Sequence, residues 1–487
     1  EQEQYLRFLM GLVPRGLHRA YLVDPSRLDL AAKKGPSTSG ACALCAGVVA
    51  AMAVKLLLNR PGVLAAPYHH HFDPYANRYV ITKLRWGNMG PVARLKLGVA
   101  RRLYGGLSKQ APTPAPQPPT EPLQEILNLA RWAPSGDNVQ PWRLAQKSAE
   151  HVVVFIPPAN PDHIYEYRNG EPNLIAAGML LESLRIAASG WQRRIEWDYE
   201  HPAGAASHQV DVRFIRDSGI EPDPLLASLP LRSVDRRPYS RRNLRPREKA
   251  ELEQAFGYQL ALDWHETIQE RMRVARLGAL ATDIRLRAKE AFPIHQRIVD
   301  FARSHSPDAI PAGAVGLSRP TLASMRWAMR SWSRMNLFNR LGATVTAALE
   351  MDYITGLSSA AFFTMRLRQM PDSGPRAQTL LAAGQDIQRF WLTATRLRLA
   401  LQPGLAIIAF AHYGETGQPF TADPVLRGKA QGLASRFRQV FGAGTDQFIF
   451  LGRIGEAHPR LPKVRSTRLS LAELTRARSL EAQSPEA

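Results

Sequence analysis

The chain has 487 residues, too many for a single compact core, and its 45% hydrophobic and 22% charged residues fit a soluble globular protein of two or three domains. Lys and Arg number 63 against 42 Asp and Glu, a formal net charge of +21. Such a charge can serve nucleic acid, an anionic membrane surface or phosphate-bearing ligands. Spread along the chain without an RNP, finger or helix-turn-helix pattern, it favours a solvated basic surface with a few arginines serving a phosphate, and no nucleic-acid partner is expected.

Two cysteines are too few for a disulfide framework, so a cytoplasmic location is expected. The opening EQEQYLRFLMGLVPRGLHRA lacks the features of a signal peptide, and the missing start methionine is what a fragment or processed chain would show. The run ACALCAGVVAAMAVKLLL (41–58) raises a membrane span by length, but Lys55 and its many small residues predict a buried helix and no integral membrane segment. Cys42 and Cys45 are expected to be buried structural residues and not zinc ligands with His69, His70 or His71, because no second CxxC follows. No metal is expected. SKQAPTPAPQPPTEP (108–122) cannot form a core and reads as an extended linker between residues 1–107 and the body.

In the body, EPLQEILNLARWA (121–133) sets Leu123, Ile126, Leu127 and Ala130 on one helical face. It breaks at RWAPSGDNVQPW (131–142), where Pro134 and Gly136 fix a turn, Ser135 and Asn138 offer short hydrogen-bonding groups and Trp142 supplies an anchor. That loop is either a connector with an Asx-turn at Asp137 or a surface presented to something planar and polar. Strand-like runs HVVVFIP (151–157), HQVDVRFI (208–215), GLAIIAF (404–410) and QFIFLGRIG (447–455) interleave with helices such as NLIAAGMLLESLRIAASG (173–190), which indicates an α+β or α/β layered domain.

Three basic segments follow. LRSVDRRPYSRRNLRPRE (231–248) packs seven arginines into sixteen residues, either as a solvated face or with Arg232 and Arg236 on one turn converging on a phosphate. RWAMRSWSRMNLFNR (326–340) spaces Arg326, Arg330 and Arg334 helically beside Trp327 and Trp332, as an amphipathic helix, a lid or a membrane-surface helix. PKVRSTRLSL (462–471) groups Lys463, Arg465 and Arg468 after a strand. An echo also runs through the body: Ala-Ala-Gly opens a helix at Ala176 and again at Ala382, which suggests a duplicated unit.

These motifs together resemble the FMN-dependent nitroreductase family over roughly residues 120–475. RWAPSGDNVQPWRL looks like its APSxxNxQPW signature and RSVDRRPYS like its Arg-rich phosphate motif. The Ala-Ala-Gly helices resemble its core helices, and LGRIG with the following basic residues resembles its closing strand. The resemblance implies an α+β three-layer fold with a central, mainly antiparallel sheet flanked by helices, here pseudo-duplicated and preceded by a small N-terminal α/β segment. The order departs from the family's, in which the Arg motif comes first; here the APS loop precedes it by about ninety residues. Family members are typically homodimers with FMN at the interface. Two fused halves, 123–230 and 231–475 with a tail at 476–487, would leave one composite site: the first half keeping its loop, the second its Arg motif. The chain is then an intrachain pseudo-dimer, with further homodimerisation open.

Carried over residue by residue, Pro134, Ser135, Gly136 and Asn138 match the loop against the isoalloxazine and ribityl chain. Arg232 and Arg236 match the phosphate ligands, Lys463, Arg465 and Arg468 would close over the phosphate, and Gly404 would be the backbone donor near flavin N5. The implied activity is hydride transfer from NAD(P)H through the flavin to a small-molecule substrate, with no catalytic acid or base named. FMN storage without turnover is one alternative. Another is a flavin tailoring domain of an adenylating enzyme, since GPSTSGACALCAGVVAAMAVKLLL with YHHHFDPYANRYVI resembles the last part of a ThiF/E1-like domain that here lacks GxGxxG.

Overall fold

The computed structural model describes residues 39–73 and 78–83, some positions between 86 and 98, then 121–200, 207–257, 259–368, 376–456 and 464–475. The chain divides into two compact units, Glu1–Pro118 and Pro119–Ala487. Lys463, nearly all of the linker and the tail lie outside the described residues.

In the first unit, helix α1 (Ser39–Leu57) precedes an antiparallel hairpin of β1 (Tyr68–Asp73) and β2 (Arg78–Lys83). The expected burial of α1 is not met. Val49, Val54, Leu56 and Leu57 are exposed, and Cys42 and Cys45 are free and exposed. The apolar residues ring this helix, so no single stripe directs it inward. No helix among the described residues is long and apolar enough to cross a membrane.

The second unit mixes helices with antiparallel sheet, an α+β arrangement. Helix α2 (Pro122–Ala130) buries Leu123, Ile126, Leu127 and Ala130, the face its spacing dictates. A first sheet holds β3 (Arg143–Ser148), β4 (His151–Ile156), β5 (Arg193–Glu200) and β6 (His208–Arg216) in the order β3-β4-β6-β5, every pair antiparallel. Helix α3 (Tyr167–Ser189) joins β4 to β5 and ends at Gly190.

After α4 (Pro246–Glu253) and β7 (Leu260–His265) comes a helical insertion of α5 (Ile268–Arg287), α6 (Ala291–Ile298), α7 (Arg319–Ala328), α8 (Trp332–Arg340) and α9 (Ala343–Ala348). Its short strands β8 (Val299–Asp300), β9 (His305–Ser306) and β10 (Ile310–Pro311) lie between α6 and α7. The chain continues through β11 (Ala361–Leu367), helix α10 (Arg376–Arg396), β12 (Leu399–Pro403), α11 (Leu405–Thr416), α12 (Pro424–Phe441), β13 (Phe448–Glu456) and the short β14 (Arg465–Ser466). The second sheet runs β7-β11-β13-β12, again antiparallel throughout. Both sheets therefore follow one connectivity: two strands, a long helix, two strands, with the fourth lying between the second and third.

The two long helices cross where Ala-Ala-Gly recurs. A Cβ on Gly178 would lie 2.1 Å from the Leu381 carbonyl oxygen, and one on Gly384 2.2 Å from that of Ile175. Only glycine allows this approach. One apolar core surrounds the crossing, with Leu180 and Leu181 of α3 meeting Phe390 of α10, Phe363 of β11 and Phe450 of β13.

Two local expectations are corrected. GLAIIAF is no strand: β12 stops at Pro403 and α11 starts at Leu405. A short run that is apolar at nearly every position carries no period to tell the two apart, and Ile407, Ile408, Ala409, Phe410 and Ala411 are all buried. Residues 326–340 form two helices, because Ser331 turns extended and its hydroxyl caps α8 by accepting from the Arg334 N–H. Arg326, Arg330 and Arg334 therefore do not share one helical stripe.

Candidate functional site

The loop after α2 is backbone-strained. Asp137, Asn138 and Gln140 all take left-handed φ, at 49°, 65° and 47°. Side chains hold it there. The Gln140 N–H donates to Ser135 Oγ (2.9 Å), while Gln140 Nε2 donates to the Pro307 carbonyl (2.8 Å) and its Oε1 accepts from the Leu469 N–H (2.9 Å). The Asn138 amide nitrogen faces the carbonyls of Pro307 (3.0 Å), Thr467 (3.2 Å) and Ala309 (3.3 Å). Trp142 is fully buried beneath. Ser135 and Asn138 thus shape the loop, and Pro134, Ser135, Gly136, Asp137 and Asn138 line a cavity of about 400 Å³.

The Arg motif reaches the same cavity as an extended segment. Val234 bridges Leu401 of β12 in parallel, which brings Arg232 to the wall beside α10. Arg232 is only 2% exposed. It lies over the Trp391 ring at 4.6 Å and donates one long bond, 3.4 Å, from Nη2 to the Trp132 carbonyl; Nε and Nη1 are buried without a partner. Arg468, also buried, donates to the Ala133 (2.9 Å) and Thr467 (2.8 Å) carbonyls. Arg465 lies over Trp132 at 4.9 Å and donates to the Pro230 carbonyl (3.0 Å), its Nε unpartnered.

Among the described residues no acidic group offsets this trio. Burial, then Arg468 and Arg465, holds the Arg232 guanidinium well below the usual arginine range. Burial, then Arg465 and Arg131, brings Arg468 down to about 9, and burial lowers Arg465. Buried cations with orphaned N–H donors and no counter-charge are chemically a receptor for an anion with several oxygens.

The remaining expected residues are placed differently. Arg236 does not join the trio: the segment is not helical, so its Nη1 donates to the Ala314 carbonyl (3.2 Å), and the carboxylate acting on it is that of Asp137. Gly404 cannot offer its N–H to a ligand, because that group donates to the Leu451 carbonyl at 2.8 Å. Gly404 lines the cavity together with Leu405 and Ala406, the first residues of α11, whose first-turn N–H groups have no intrahelical acceptor.

The far wall comes from the insertion, whose residues carry no recognised motif. Tyr165 and His295 share a 2.7 Å hydrogen bond, and burial with Arg285 and His163 brings the imidazole down to about 3. Asp352 sits in a π-helical stretch, Leu349–Ile354, facing Gly278, where a Cβ would lie 2.7 Å from its Oδ1. Burial pushes its carboxyl up to about 6 against Arg285, Thr282 and Arg453. Its Oδ2 and the Arg285 Nε are buried without partners. Met325, Met329, Met335, Met351 and Phe338 complete an apolar side. Two features of the sequence mark this wall: the stretch 326–340, for which a lid is one of the readings, and density, with four of the eleven methionines between 325 and 351.

No family model and no curated protein matches the chain. Among solved structures, the FMN-dependent nitroreductase NfnB from Mycobacterium smegmatis, determined in complex with NADPH, is similar at 16% identity over 51% of this chain and 95% of that chain, with a TM-score of 0.27. That likeness is too slight to bear on function.

Proposed function

We propose that the chain is an FMN-dependent oxidoreductase that takes electrons from NAD(P)H and passes them to a small-molecule acceptor, with one composite site per chain. The observation that carries this reading is the trio Arg232, Arg465 and Arg468, the first and last buried and Arg465 half-buried, with no acidic partner among the described residues, at the cavity that the 134–142 loop also lines. Arg232 comes from the proposed second half and the loop from the first. The shared connectivity of the two sheets and the Gly178–Gly384 crossing support a duplication.

When bound, FMN supplies a ring that accepts and donates hydride. The protein's part is binding and orientation. The three guanidinium groups bind the phosphate, and Trp132 and Trp391 hold two of them in place. The 134–142 loop and the start of α11 flank the ring. The methionine wall keeps water from the acceptor's compartment, where Asp352 holds a proton on its carboxyl in mildly acidic solution. Arg236 and Asp137 belong to that compartment and not to the phosphate.

The test is purification with flavin followed by anaerobic addition of NADPH or NADH. The reading expects retained FMN whose yellow absorbance bleaches, and FMN loss in Arg232→Ala with Arg468→Ala. Retained flavin that ignores both nucleotides would favour storage, and FMN content unchanged in the double variant would remove the phosphate assignment.

A further inference from the structure

The insertion has an outer face that the cavity does not use. Ten large apolar side chains among the described residues of the second unit are exposed, and six of them fall between residues 327 and 354: Trp327, Leu337, Leu341, Val345, Leu349 and Ile354. Leu337 and Leu341 are one turn apart on α8 and its cap. Val345 and Leu349 are one turn apart beyond the left-handed Gly342 (φ 93°), which joins the two helices. Arg334 lies over the Trp327 ring at 5.6 Å and extends the patch to α7. An apolar patch of this extent on a basic protein is a contact surface.

The charges around it choose the occupant. Arg319, Arg326, Arg330 and Arg340 are exposed on or beside the same helices, and none forms an ion pair or side-chain hydrogen bond among the described residues. Of the two acids within this stretch, Glu350 is engaged by Ser318 and Thr321, and Asp352 lines the cavity. Leucines, a tryptophan and unpaired arginines, here spread over three successive short helices, are what interfacial helices present to anionic lipid. The inner sides of α7 and α8 place Met325, Met329, Met335 and Phe338 in the cavity wall. One helix layer therefore separates that wall from the patch.

We infer that the face formed by Trp327, Leu337, Leu341, Val345 and Leu349 with Arg319, Arg326, Arg330 and Arg340 docks on an anionic membrane surface. Docking sets the methionine-walled compartment against the lipid, where a lipid-soluble ligand reaches it. The docking itself does not depend on the flavin reading.

The full chain is sedimented with vesicles of pure phosphatidylglycerol and of pure phosphatidylcholine. Binding to the first, and not the second, is expected. Leu341→Ser with Val345→Ser should weaken it roughly tenfold. Arg326→Ala with Arg330→Ala should weaken it about fivefold per arginine. Unchanged melting temperatures show that these surface variants fold. Arg427→Ala with Arg436→Ala, exposed on α12, should leave binding intact. The inference is overturned by equal binding to both lipids, by equal loss in the α12 variant, or by no binding. A dimer that the Leu341→Ser, Val345→Ser variant converts to monomer also overturns it, since the face would then cover a second copy.

Discussion

Gly178 and Gly384 touch backbone to backbone: a Cβ built on either would stand 2.9 Å from the other's Cα. Each glycine belongs to an Ala-Ala-Gly segment, and the helices carrying them link the second and third strands of two sheets wired alike. The crossing fixes how the two sheets share one core, and through it where the loop at 134–142 stands against Arg232.

Alanine at either crossing glycine should therefore be far worse than alanine elsewhere in a helix. Gly178→Ala or Gly384→Ala meets carbonyl oxygen and must part the helices, at or above the roughly 1–3 kcal/mol typical of overpacked cores. Gly428→Ala or Gly432→Ala in α12, where nothing lies within 4 Å, should stabilise by about 0.5–1 kcal/mol. Urea unfolding of the four variants separates the cases, and equal effects would contradict the crossing.

The arginine trio should trade stability for binding. Without an anion, Arg232→Met removes a buried charge that Arg468 and Arg465 repel, and should raise the melting temperature of flavin-free protein, by about 1–3 kcal/mol in stability. The same change should reduce FMN affinity. A variant that loses stability in flavin-free protein would mean that the Arg232 side chain is a structural prop.

Asn138 should be required as an amide. Asn138→Ala leaves the buried carbonyls around it without their donor and should cost about 1–3 kcal/mol. Asn138→Asp sets a carboxylate against the same carbonyls and should be worse. If the aspartate variant unfolds at the same urea concentration as wild type, this arrangement is wrong.

Asp352 makes a pH prediction whose sign is fixed. Its folded value of about 6 lies above the ordinary 3.8, so folding is unpenalised in acid and progressively penalised as pH rises from about 4 to 6, then constantly above. Asp352→Asn should raise the melting temperature at pH 8 and leave it nearly unchanged at pH 4. An equal shift at both would mean that the carboxyl titrates normally.

Much of the frame was legible because its periodicity is long. Leu123, Ile126, Leu127 and Ala130 mark a helical face, and the strands at 151, 208 and 448 each carry a run of β-branched or aromatic residues. The run at 404–410 failed because uniform hydrophobicity has no period, and α1 failed because hydrophobicity without a stripe does not specify burial. At the candidate site, the Arg232 segment and the cluster of Lys463, Arg465 and Arg468 stand out in composition, and only the family resemblance joins the two. The place of Arg236 was not legible, since adjacency on a helical turn was assumed for a segment that runs extended beside β12. Trp391, Tyr165, His295, Arg285 and Asp352 were out of reach: they meet only through tertiary contacts from distant elements.

The most direct measurement is FMN titration of flavin-free protein, followed by absorbance and by equilibrium dialysis. One composite site predicts saturation at one FMN per chain, with binding weakened by Arg232→Ala and by Arg468→Ala. Saturation at two per chain, or no binding, contradicts it.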